Sequence, residues 1–347
     1  MKENRILWVD IAKYICIMFV MLSHLESSTV LLSVLYSPFF LTLFFFCSGY
    51  VYKADDSFGK FILKKVKQLF VPWLILSTAN IAVSQILTFN EHKPFTEELF
   101  WNFLQIRGMN DGLWFVAALF VAFVPFFFFI KWYQKKSFSK KRICFLVSIG
   151  FILSFLSNLY GYVMDPAVFP WGSCALPWHL EYIFIAMFYM LMGFLFKHLW
   201  ENKFDDRNTA VFRFLIWAVY CIVICIDCCC SIDNVLLAIL FSYIPSILGI
   251  AAVISVCKII RPNKYILYIG KNSLLCFALH GKVYSLLQTV LKKFAGGFYF
   301  AVLDNVFTSS LFAILLTFVM SIILIVPIYI INRYFPFVIG RAYKKNA

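Results

Sequence analysis

The chain is 347 residues long, 63% hydrophobic and 20% aromatic with only 14% charged, an apolar share well above that of soluble domains. This composition excludes an ordinary soluble enzyme and predicts an all-α, polytopic integral membrane protein, because a span needs about 20 mostly apolar residues and runs of that length recur throughout. The net charge of +14 does not point to nucleic acid, since the basic residues sit in short loops between apolar runs and no soluble module presents them as a patch.

In chain order, spans are predicted near 6–25, 30–52, 69–89, 112–130, 143–162, 177–196, 212–229, 234–257, 265–289 and 307–332, ten in all. No small-residue cleavage site follows His24, and Asp10 and Lys13 interrupt the first run, so the first segment is expected to stay as a span rather than act as a secretory signal. With a cytoplasmic N-terminus, 24 lysines and arginines fall on the cytoplasmic side and 5 outside, with Lys13 and Lys271 within spans. That asymmetry predicts both termini inside.

Residues 1–347 are expected to form a single membrane-embedded domain with a cytoplasmic tail over 333–347. Between the second and third spans, residues 53–70 read as a basic amphipathic segment on the cytoplasmic surface. Phe58, Phe61, Ile62, Val66, Leu69 and Phe70 recur there at helical spacing, and Lys60, Lys64, Lys65 and Lys67 fill the other face.

Eleven cysteines, mostly inside apolar runs, carry no paired framework. The cluster Cys225-Ile-Asp-Cys-Cys-Cys230 has one acid and no histidine nearby. It reads as apolar filler, and no metal site is expected.

The first span carries the chemistry. Lys13 and His24 are eleven residues apart, about 16 Å along a helix axis, and project from nearly one face; Asp10, three residues before Lys13, shares it. Interfacial pairing of Asp10 with Lys13 is one explanation. Ionisable groups within a span cost about 2.5–3.5 kcal/mol each, however, which makes a functional role the default expectation. A histidine near the outer surface suits general-base attack of a hydroxyl on an acyl carbon, and a deeper Lys13 suits an anionic or carbonyl-rich donor arriving from the cytoplasm.

The arrangement resembles the acyltransferase family 3 membrane proteins, especially the fucose 4-O-acetylase-like branch that O-acylates cell-surface polysaccharides. The basic residue, ten intervening positions and histidine of that family are matched by Lys13 and His24, preceded by Asp10. FFFCSGY supplies Ser48, Gly49 and Tyr50. KKVKQLFVPW supplies Lys64, Lys65, Lys67 and Pro72. LWF supplies Trp114, and GKNSLLCFALH supplies Gly270, Asn272, Ser273 and His280. The likeness runs from residue 5 to about 285. Gln68 stands where a basic residue is usual, and Ala117 where a proline is common.

The resemblance implies a membrane-bound O-acyltransferase that moves an acetyl group from acetyl-CoA, a co-substrate, to a hydroxyl of a cell-surface polysaccharide or its lipid-linked precursor at the plasma membrane, with no tightly bound cofactor. His24 is then the expected catalytic base. Lys13, Asp10, Lys64, Lys65 and Lys67 hold the acyl donor, and Ser48, Tyr50, Trp114, Glu181, Asn272, Ser273 and His280 support the site or meet the acceptor. For Glu181 an interfacial role, and for Asn272, Ser273 and His280 interhelical hydrogen bonding or packing, are the structural alternatives. A transporter or flippase of a lipid-linked saccharide is the rival reading from another class.

Overall fold

The computed structural model describes residues 6–53, 57–87, 93–110, 112–134, 139–230 and 232–341. Lys2, Arg5, Lys135, Lys136, Lys344 and Lys345, residues 54–56 of the basic segment and residues 342–347 of the tail lie outside these. All regular structure among the described residues is helical, and nine helices are at least 18 residues long and apolar enough to cross a membrane. The first helix, α1 (Leu7–Ser23), has 17 residues, at the lower limit for a span. The protein is a multi-pass membrane protein.

The chain divides into two compact units. One comprises Met1–Cys47, Trp200–Asp233 and Leu240–Ile330, and the other Ser48–Leu199, Asn234–Ile239 and Ile331–Ala347.

In the first unit α1 is an interior helix. Trp8, Val9, Asp10, Ile11, Ala12, Cys16, Ile17 and Met18 are all buried, which is the pattern of a helix enclosed by others. It packs on α13 (Lys264–Lys271), α14 (Ser273–Leu303) and α15 (Val306–Ile323). The predicted second span divides into α2 (Val30–Tyr36) and α3 (Phe40–Tyr50). Thr29 caps α2 by accepting from the Leu32 amide at 3.4 Å, and Pro38, which has no amide hydrogen, sits at the break.

The predicted span over 265–289 differs more. It is two helices, interrupted at Asn272, and α14 alone holds 31 residues. At 1.5 Å per residue α14 is about 46 Å long, against about 30 Å of hydrocarbon. Non-helical backbone at Ala295 (φ −138°) kinks it before Gly296 and Gly297. The last predicted span likewise divides, at Leu324, into α15 and α16 (Ile325–Tyr334); Pro327 cannot donate to the carbonyl four residues back.

In the second unit α9 (Ile183–Leu195) is buried between α7 (Trp114–Gln134) and α8 (Lys140–Val163). The basic segment forms α4 (Phe58–Lys65) and runs through a π-helical turn at Val66–Phe70 into α5 (Val71–Leu87), so the helix starts well before the predicted 69. Pro72 leaves the Gln68 carbonyl without its usual donor, and the widened turn stands immediately before it. Downstream, α6 (Phe95–Leu104) fills the predicted loop between spans, and α10 (Glu201–Arg207), α11 (Ala210–Cys229) and α12 (Val235–Cys257) complete the order.

Candidate functional site

His24 is the residue that closes α1. The Nδ1 of its exposed ring lies 2.8 Å from the Val20 carbonyl oxygen. A proton on Nδ1 donates to that carbonyl, which leaves Nε2 as the basic nitrogen. Against it stands His280, on the second turn of α14: the two rings are 4.8 Å apart, edge to face at 73°. His280 is only 5% exposed, and its Nδ1 pairs with the Phe277 carbonyl at 2.7 Å. Its buried Nε2 has no hydrogen-bond partner among the described residues.

Three turns and more toward the start of α1 lie Lys13, half-buried, and Asp10, 7% exposed. At this depth α13 crosses α1 at backbone contact: a Cβ on Gly270 would stand 2.0 Å from the Asp10 carbonyl oxygen. The side chain of Asn272 donates to the Tyr268 carbonyl at 2.8 Å, and its amide bonds Tyr268 and Ile269, so this residue terminates α13. Ser273, half-buried, opens α14. Asp10 therefore neighbours Gly270 and His24 neighbours His280, so α13 and α14 run alongside α1 in the same direction.

The second unit holds another polar cluster. Pro177–Tyr182 is a 3-10 turn, and inside it Trp178 (φ 59°) and His179 (φ 52°) are both left-handed, at about 1–2 kcal/mol each for residues with a Cβ. Packing holds them there: Trp178 lies against Trp73, Phe70 and Phe103, and His179 is fully buried beside Trp114, ring centres 5.2 Å apart. This turn aims Glu181. Its Oε2 accepts from the Leu176 amide at 2.9 Å, and its Oε1 is 3.5 Å from His179 Nδ1. A cavity of about 300 Å³ lies against it, lined also by Arg107, Ser157, Asn158, Tyr160 and Tyr182. Arg107 donates to the Tyr182 hydroxyl at 2.7 Å, its guanidinium 5.9 Å from the Trp114 ring centre.

A family model for an acyltransferase domain, that of acyltransferase family 3, matches residues 6–330. The chain belongs to that family. No curated protein and no solved structure matches it.

The acyltransferase distributes its motif residues between the two units. Asp10, Lys13, His24, Asn272, Ser273 and His280 come together along α1 in the first, and Ser48, Tyr50, Lys64, Lys65, Lys67, Trp114 and Glu181 belong to the second. In the second unit Lys64 and Lys67 are exposed, but the Lys65 ammonium sits 3.6 Å from the centre of the Phe123 ring. Tyr50 is buried under Lys197, 5.4 Å from its ring centre. Gly49 explains part of that motif: a Cβ there would stand 1.8 Å from the Met190 carbonyl oxygen, so the glycine lets α3 and α9 meet. Ser48 is half-buried next to it.

All eleven cysteines of the acyltransferase are free thiols. Among the described residues no three histidine, cysteine or acidic groups converge as a metal site requires. Sequence reasoning singled out neither Arg107 nor Glu26. Arg107 carried one usable signal, its place seven residues before the tryptophan of LWF.

Proposed function

We propose that this acyltransferase moves an acetyl group from acetyl-CoA to a hydroxyl of a cell-surface polysaccharide or its lipid-linked precursor, as the fucose 4-O-acetylase-like branch does, at the plasma membrane. The observation that carries the reading is the His24 imidazole: its Nδ1 is engaged by the Val20 carbonyl and the buried ring of His280 stands against it. His24 Nε2 takes the proton from the acceptor hydroxyl as the hydroxyl oxygen bonds to the thioester carbon. The tetrahedral intermediate collapses by breaking the carbon–sulfur bond, and the imidazolium returns the proton to the departing CoA thiolate. The products are an O-acetyl ester and free CoA, and the imidazole is regenerated.

Lys13, with Asp10 as its counter-charge, serves the donor's carbonyl-rich arm. Exposed Lys64 and Lys67 suit the phosphates of CoA, whereas Lys65 contributes chiefly by fixing the segment on Phe123. Glu181 and Trp114 support the acceptor side, and Ser48 and Tyr50, toward the other end of α9, have a supporting role. No resident cofactor is required.

Purified protein, acetyl-CoA labelled in the acetyl group and membrane saccharide provide the test. Label should pass to saccharide with wild-type protein and not with His24→Ala of equal folded yield. Persistent transfer by His24→Ala removes His24 from the chemistry. Saccharide translocation with no label transfer makes the protein a flippase instead.

A further inference from the structure

One face of α14 is occupied at regular intervals by His280, Tyr284, Gln288 and Lys292, spaced four residues apart. The first of these meets the ring of His24. The other three converge on a single residue two positions further along the same turn, Glu26. Its backbone amide donates to the Tyr284 hydroxyl at 2.7 Å, Gln288 Nε2 donates to its carboxylate, and Lys292 Nζ lies 3.1 Å from Oε2. A fourth group comes from past the Ala295 kink, where the fully buried Tyr299 donates its hydroxyl to Glu26 Oε2 at 2.8 Å. The turn is pinned again at Ser27, whose carbonyl accepts from Ser309 Oγ at 2.9 Å, and at Thr29, whose hydroxyl is 2.6 Å from that of Ser310.

From this we infer that Glu26 is the positioning residue of the histidine pair, the clamp that sets His24 in register with His280 through α14. The inference rests on the proposed role of His24 as base. It accounts for the continuation of α14 past its kink, since a helix of about 20 residues from Ser273 would end before Tyr299 and could not present it to this turn. A carboxylate is the group that fits, because one oxygen pair accepts from a phenol, an amide and an ammonium together. The clamp acts on geometry: a misplacement on the order of 1 Å at a reacting group can lower a rate on the order of a hundredfold.

The test is steady-state kinetics of full-length Glu26→Ala and His24→Ala side by side, with the thermal midpoint of each. Glu26→Ala should lower kcat on the order of ten- to a hundredfold while KM for donor and acceptor stays at the wild-type value. Glu26→Gln, which keeps an acceptor for Tyr299 and loses the charge facing Lys292, should fall between. Wild-type kcat in folded Glu26→Ala overturns the inference, and so does a parallel rise in KM, which would mark a binding or purely structural residue. If Glu26→Ala does not fold, the double variant Gln288→Ala/Lys292→Met decides: a lowered kcat at constant KM supports the clamp and an unchanged one refutes it. An active His24→Ala removes the catalytic reading itself. An inactive His24→Ala beside a fully active Glu26→Ala removes only the clamp.

Discussion

His280 holds a buried nitrogen with no hydrogen-bond partner among the described residues, and such a group costs about 1–3 kcal/mol relative to an apolar side chain of like shape. His280→Phe should therefore leave the thermal midpoint unchanged or raise it. If the second imidazole backs His24, the same variant should lose acyl transfer on the order of tenfold, and kinetics beside a melting curve separate the two effects. Unchanged kcat with a higher midpoint would make His280 a packing residue. Glu26 gives a pH dependence with a definite sign. Hydrogen bonds from Tyr299 first, then Lys292 and Gln288, hold its carboxyl below the ordinary glutamate value. Its contribution to the fold is thus complete above the unfolded-state value and is lost as pH falls through the lower, folded one. Wild-type protein should lose thermal stability on acidification more steeply than Glu26→Gln; equal slopes would show the network is energetically silent. Of these two residues only His280 was legible beforehand, because it sits inside an apolar run where an ionisable group stands out. Glu26 lies in an ordinary polar turn, and the residues that give it meaning are 258 to 273 positions away.

Among elements, the glycines of the two sequence motifs turn out to be crossing points. Gly270 meets the Asp10 carbonyl and Gly49 that of Met190, backbone against backbone, which leaves no flexible side chain to give way. Gly281, on the same helix as His280, faces open space. Gly270→Ala should separate α13 from α1 and abolish folded yield or lower the thermal midpoint severely, since overpacking against backbone exceeds the usual 1–3 kcal/mol or so. Gly281→Ala should be neutral or stabilising by up to about 1 kcal/mol. Size-exclusion profiles and melting curves of the two would compare them directly, and equal behaviour would dismiss the close crossing. Hydropathy reveals where helices of this kind lie, and nearly every apolar run became one. It does not reveal where they stop. The break at Asn272 is made by a side chain bonding its own helix end, and the continuation to Leu303 runs through Lys292 and Lys293, which a membrane scale reads as an exit. The Pro38 and Pro327 interruptions were readable in principle, since proline withdraws a donor wherever it falls.

At the scale of the whole molecule the family and the multi-pass architecture follow from the chain, while its sidedness rests on the 24 to 5 partition of lysine and arginine. That partition makes a sharp prediction with consequences for the chemistry. Alkaline phosphatase, active only outside the cytoplasm, should be active when fused after Gly108 or after Lys293 and inactive when fused after Lys203. The first two positions follow an odd number of predicted crossings and the third an even number. If the pattern holds, the Glu26 turn and the histidine pair face outward, and a cytoplasmic acetyl donor has to extend past Lys13 along α1, about 16 Å of helix, to reach His24. The reverse pattern would put His24 on the cytoplasmic side, where donor and base meet without any passage. Acylation would then take place on the cytoplasmic side, and the half-buried Lys13 would lose its reason to serve the donor.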